Sequence, residues 1–104
     1  MSAKILIIDD ELSMRELLSI LFSSDGYTIL SCASAEEALT KLNDYQPDII
    51  LSDMNLPGMS GLELLEEVRK WNENCPFVVI TAFGSTDNAV RAMKLGASNY
   101  VLKP

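Results

Sequence analysis

"PDIILSDMNLPGMSGLELL", residues 47–65, holds a complete change of structural period within nineteen positions. It begins with an apolar run, Ile49 to Leu51, too short for a helix and dense in β-branched residues, so the stretch 47–53 reads as a strand. Pro47 is tolerated at its entry, where no ladder hydrogen bond is needed. The strand ends on a carboxylate, Asp53, and breaks into a turn at Pro57-Gly58. Ser60 and Glu63 then form an S-x-x-E capping box. The helix they open carries Leu64, Leu65, Val68 and Trp71 on one face. Strand, turn and helix make one βα unit. The Asp53 turn admits three readings: an ordinary surface turn, a calcium loop, or an acidic reaction centre.

The same unit recurs on both sides. "KILIID" (4–9), "YTILSC" (27–32), "PFVVITA" (76–82) and "SNYVLK" (98–103) read as further strands. Between the first two, Met14, Leu17, Leu18 and Leu21 sit at helical spacing, with Gly26 as a stop. Ser34 and Glu37 form a second capping box, before a helix presenting Ala35, Ala38, Leu39 and Leu42. Ser85 caps a fourth helix, which presents Ala89, Ala92 and Met93 and stops at Gly96. Strands that are continuous apolar runs suit a parallel sheet covered on both faces. Right-handed crossovers then predict an α/β, flavodoxin-like, doubly wound five-stranded sheet in the order 2-1-3-4-5, with four helices. A fifth helix is expected after the last strand, and the chain stops at Pro104. Without it an apolar strip on the order of 300 Å² would lie open, forgoing about 8 kcal/mol of burial. The expectation is a single domain over residues 1–104, C-terminally truncated, or a chain that covers the strip by self-association.

Bulk composition narrows the function classes. With 104 residues the chain holds one domain, and its 48% hydrophobic content is ample for a core. The formal charge is −7, from 15 acidic and 8 basic residues. Such a domain repels a phosphate backbone, so direct nucleic-acid binding is not expected. No apolar stretch approaches the roughly 20 residues that span a bilayer, and no signal peptide is evident, so no membrane partner and a cytoplasmic location are expected. Cys32 and Cys75 lack CxxC spacing, and there is no histidine to complete a zinc site; buried free thiols are the expected state.

In open α/β sheets function sits beyond the carboxyl ends of the strands. Strand one delivers Asp9, Asp10 and Glu11 there, strand three Asp53, strand four Thr81 and Ala82, and strand five Lys103. One Asp after a strand is usually a turn former. Three converging carboxylates repel one another unless a cation joins them, and hard oxygen ligands open to solvent suit Mg²⁺. The calcium-loop reading of "DMNLPGMSGLEL" fails at Pro57 and at Leu64, where a bidentate Glu is required. A flavin site would need a phosphate cradle where this loop is acidic, and G-x-G-x-x-G is absent. What remains is an aspartate that receives a phosphoryl group, with Mg²⁺, Lys103 and the Thr81 hydroxyl supplying positive charge and donors.

"IIDDE", "LSDMNLPGMSGLELL", "ITAF" and "YVLKP" resemble the receiver domain of bacterial two-component response regulators, from residue 4 to the end and in order. The resemblance implies that Asp53 accepts a phosphoryl group from a sensor histidine kinase, with Thr81 and Lys103 assisting. It implies Mg²⁺ held by Asp10, Asp53 and the Asn55 carbonyl, with Asp9 acting through water. It implies a switch in which Thr81 moves toward the phosphate, Tyr100 turns inward, and the surface of helix four and strand five controls an output domain or partner protein. Arg91 and Lys94 lie on that helix, as partner contacts or solvated charges. The Lys103–Pro104 bond matches one that is cis in the family. "MNLPGMSGLELL" resembles receivers that regulate transcription through NtrC-type activators. Phe83, two residues after Thr81, is expected to hinder water and prolong the aspartyl phosphate. The resemblance implies a chain that catalyses its own phosphorylation and dephosphorylation, with no turnover of an external substrate expected. A phosphatase or phosphotransferase of the haloacid-dehalogenase type would instead place a second Asp where Asn55 stands. A phosphorylation-independent interaction domain would lack a site residue, and none is missing.

Overall fold

The computed structural model describes residues 2–103. Five strands, β1 (Lys4–Ile8), β2 (Thr28–Cys32), β3 (Ile49–Asp53), β4 (Phe77–Thr81) and β5 (Asn99–Leu102), alternate with four helices. These are α1 (Leu12–Ser24), α2 (Ala35–Tyr45), α3 (Gly61–Trp71) and α4 (Thr86–Lys94). The strands form one parallel sheet in the order β2-β1-β3-β4-β5. This is the doubly wound, flavodoxin-like arrangement expected from the alternation of periods. The Lys103–Pro104 peptide falls outside the described residues.

Side chains alternate across the sheet, which separates two cores. On one face Leu6, Ile8, Ile50, Phe77 and Val79 pack against Ala35, Ala38 and Leu42 of α2, Leu64, Leu65 and Val68 of α3, and Ala92 of α4. On the other face Ile5, Ile7, Leu51 and Ile80 pack against Leu18 of α1, with Met14 and Phe22 half-buried beside it. Each fully buried Leu, Ile, Val or Phe contributes about 1.5–3 kcal/mol over its exposed state.

The apolar faces of α1 and α4 differ from those expected. Leu17 and Leu21 are 42% and 50% exposed, and the buried stripe of α1 runs Met14, Leu18, Phe22, one residue per turn. On α4, Met93 is 50% exposed and Ala92 carries the burial. The spacing of the residues was helical in both cases. Which of two adjacent apolar residues faces the sheet depends on how the helix is rotated on it, and that is set by packing.

The helix starts follow the capping chemistry with one difference. Ser60 accepts from the Glu63 amide at 3.2 Å and Glu63 returns a bond from the Ser60 amide, a complete box. Ser85 accepts from the Asn88 amide at 3.1 Å. Ser34 accepts from the Glu37 amide at 3.1 Å, but the Glu37 carboxylate accepts from the Ala33 amide, one residue earlier than a box requires. α1 begins after Glu11 with no side-chain cap.

Candidate functional site

Register carries the acidic residues to one edge. Ile8 of β1 lies beside Ser52 of β3, so Asp9 and Asp53, each the next residue along, emerge together. Asp53 lies beside Ile80 of β4, and Thr81 beside Leu102 of β5, which places Lys103 one step beyond. The Lys103 amide donates to the Thr81 carbonyl at 2.8 Å and extends that ladder.

Three carboxylates, those of Asp9, Asp10 and Asp53, bring one oxygen each within 4.8 Å of one another. Asp9 and Asp53 are buried and Asp10 is exposed. The Lys103 ammonium lies 2.8 Å from Asp9 Oδ2 and 3.2 Å from Asp53 Oδ2. A cleft of roughly 180 Å³ opens beside them, lined by Asp10, Glu11, Asp53, Asn55, Ala82, Phe83 and Lys103. Asn55 is exposed there, and its amide donates to Asp53 Oδ1 at 3.2 Å.

Burial pushes the Asp53 carboxyl above the ordinary carboxylate range; the Lys103 ammonium and the Asn55 amide pull it down without cancelling the effect, and the nearby Asp9 adds to the rise. For Lys103 burial acts downward, but Asp9 and Asp53 together outweigh it and leave the ammonium above the usual lysine value. One ammonium thus faces three acidic side chains, so the site carries excess negative charge.

The donor set fits a hard divalent cation such as Mg²⁺. Asp9 Oδ2 is buried and has the ammonium as an ion-pair partner but no aligned hydrogen bond. Asp10 and Asn55 leave the cleft open on one side, as a cation that keeps several waters requires.

Thr81 and Tyr100 stand differently. The Thr81 side chain is buried, and its Oγ1 accepts from the Phe83 amide at 3.2 Å, so the hydroxyl is engaged with its own loop. Tyr100 packs against the core on the α4 side, and its hydroxyl is buried without a partner. It lines a second, open groove with Ala82, Phe83, Gly84, Ala89 and Leu102, and not the acidic cleft.

Two contacts escaped the sequence reading. Arg15 on α1 donates through Nη1 to the Asp9 carbonyl at 2.7 Å. Glu36 on α2 accepts from the Met59 amide at 3.2 Å, tying α2 to the loop after β3. The signal for the first was a cation in the opening turns of a helix, where the helix dipole disfavours it.

The response regulator receiver domain family matches residues 5–104, and the chain belongs to that family. The chain is 36% identical to sporulation initiation phosphotransferase F of Bacillus subtilis, over all of this chain and 84% of that protein. It is 38% identical to response regulator protein FleR of Pseudomonas aeruginosa, over all of this chain but 22% of FleR. Among solved structures, chemotaxis protein CheY4 of Vibrio cholerae superposes with a TM-score of 0.96 at 31% identity, over 100% of this chain and 88% of that one. Membership carries phosphorylation-dependent signalling as the class of function. Among the described residues, no helix is long and apolar enough to cross a membrane.

Proposed function

We propose that Asp53 is the phosphoacceptor of this domain, and that Asp9, Asp10, Asp53 and the Asn55 carbonyl hold Mg²⁺ beside it. The observation that carries this reading is the meeting of three carboxylates and one ammonium at the carboxyl ends of three different strands.

Bound Mg²⁺ supplies positive charge to the equatorial oxygens of the group in transfer. The chain does the rest. An Asp53 carboxylate oxygen attacks phosphorus in a sensor kinase's phosphohistidine. The new O–P bond forms as the P–N bond breaks, and the imidazole leaves with the electron pair and takes up a proton. The Asn55 amide holds one Asp53 oxygen and Lys103 the other, which orients the carboxylate before attack. As Asp53 loses its own charge by esterification, Lys103 is free to pair with the phosphoryl oxygens. Lys103 and Thr81 are the assisting residues in this reading.

The product adds nearly two negative charges and three acceptor oxygens. Thr81 Oγ1 then gives up its contact with Phe83 for the phosphoryl group, and the loop after β4 follows. Tyr100, already against the core, fixes the new position of that loop as the switch residue. The surface of α4 and β5, where Arg91 and Lys94 are exposed, passes the change to an output domain or partner protein. A transcriptional output is the setting that the "MNLPGMSGLELL" resemblance favours, and a cytoplasmic location is proposed beside it. Acetyl phosphate with Mg²⁺ gives a labile phosphate adduct by mass spectrometry, and Asp53→Asn gives none; an equal adduct on the variant overturns the assignment.

A further inference from the structure

Asp9 is held at every polar atom it has. Its amide donates to the Cys32 carbonyl at 3.2 Å, its Oδ1 accepts from the Glu11 amide at 2.9 Å, and its Oδ2 lies 2.8 Å from the Lys103 ammonium. The fourth contact is the only one made by a long side chain to its backbone: Arg15 Nη1 donates to its carbonyl oxygen at 2.7 Å. A charged donor makes a hydrogen bond about twice as strong as a neutral one. Arg15 is half-buried, the fourth residue of α1, with its cationic head directed back past the helix start. That placement opposes the helix dipole, so local helix energetics do not account for it.

The Asp9 carbonyl is one half of the Asp9–Asp10 peptide. The peptide is planar, so its oxygen, nitrogen and the Asp10 Cα move as one unit, and holding the oxygen restrains where the Asp10 Cα and the side chain it carries can stand. Asp10 itself is exposed and its carboxylate nevertheless lies within the 4.8 Å cluster. We infer that Arg15 is a positioning residue for metal binding: by holding the Asp9 carbonyl it aims the exposed Asp10 carboxylate at Asp53. The inference rests on the proposed Mg²⁺ site and adds to it a residue that touches neither metal nor phosphate. Outer-shell groups that orient ligands change metal affinity by about 10–100-fold when removed.

Charge makes the test sharp. Arg15 is a cation near a cation site, so an electrostatic effect alone predicts that its removal tightens Mg²⁺. Positioning predicts the opposite sign. Mg²⁺ affinity is measured by isothermal titration calorimetry on the unphosphorylated protein, for wild type, Arg15→Met and Arg15→Lys. The amide NMR spectrum without metal is recorded beside each. The expected result is a dissociation constant raised about 10-fold in Arg15→Met, with a smaller rise in Arg15→Lys and shifted Asp10 and Glu11 amides. Unchanged or tighter binding in Arg15→Met overturns the inference. If Arg15→Met does not fold, Arg15→Lys decides on the same criterion, since it keeps the charge and loses the planar reach. Wild type that binds no Mg²⁺ overturns the metal site itself, and the inference with it, whereas wild-type binding with an unaffected Arg15→Met overturns the inference alone.

Discussion

The Lys103 ammonium stands 2.8 Å from Asp9 Oδ2, with both side chains almost wholly withdrawn from water. Removing one partner of such a pair leaves a buried charge uncompensated, at about 3–5 kcal/mol. Lys103→Met is expected to lower the unfolding free energy by that order in urea titrations without metal. Adding Asp9→Asn restores part of the loss, because the orphaned carboxylate is gone. A double variant no more stable than Lys103→Met would show that the two groups are not coupled.

The pH dependence has a defined sign. Burial raises the Asp53 carboxyl above its ordinary value. Over the acid range just above that ordinary value the folded protein holds more protons than the unfolded chain, so this group's contribution falls as pH rises. The raised Lys103 ammonium contributes stability that is complete below the ordinary lysine value and lost as pH climbs through the folded one. Urea midpoints against pH are expected to show both limbs, with Asp53→Asn abolishing this group's part of the acid limb and, by removing one of the two carboxylates that raise Lys103, weakening the alkaline limb as well.

Mg²⁺ is expected to stabilise the fold by mass action. At 100 times its dissociation constant the gain is about 2.7 kcal/mol. Asp10→Asn removes the exposed ligand, and at the same Mg²⁺ concentration a tenfold weaker site gains about 1.4 kcal/mol. Thermal melts with and without Mg²⁺ read the difference; equal gains would remove Asp10 from the metal site.

Phe83 is 81% exposed at the mouth of the acidic cleft. An apolar ring in that place is expected to restrict the approach of water to a phosphorylated Asp53. Phe83→Glu is expected to shorten the aspartyl-phosphate half-life, read by phosphoprotein decay after removal of the donor. An unchanged or longer half-life would count against the ring as a barrier.

Gly61 opens α3 directly behind Asp53. A Cβ there would strike the Asp53 carbonyl oxygen and come within 2.9 Å of Met54 Cα, both backbone atoms that cannot swing aside. Gly61→Ala is expected to cost about 1–3 kcal/mol by overpacking and to slow phosphorylation by displacing Asp53. Gly26→Ala is the contrast, for it meets nothing within 4 Å and strains only a backbone at φ +93. It should lose stability yet keep its phosphorylation rate.

The sheet was legible because its information is local. Each strand is a short apolar run and each helix has its own stop or cap, so order and crossover rules leave few topologies. The meeting of Asp9, Asp10, Asp53 and Lys103 followed, since each stands at a strand's carboxyl end. Three features were not legible. The rotation of α1 that buries Leu18 and exposes Leu17 and Leu21 depends on tertiary packing. The turn of the Thr81 hydroxyl onto the Phe83 amide is a rotamer choice. Arg15 reaches six residues back to a main-chain oxygen, a pairing that no periodicity marks.

The strand that delivers Lys103 is the shortest of the five, lies at the sheet's edge, and leaves Val101 and Leu102 open to solvent. The ammonium that offsets the acids at the heart of the cleft is therefore entrusted to the segment with the least to hold it down. Fraying of that margin would expel the lysine and leave the acids facing each other, so repulsion between the carboxylates and loosening of the edge should rise and fall together.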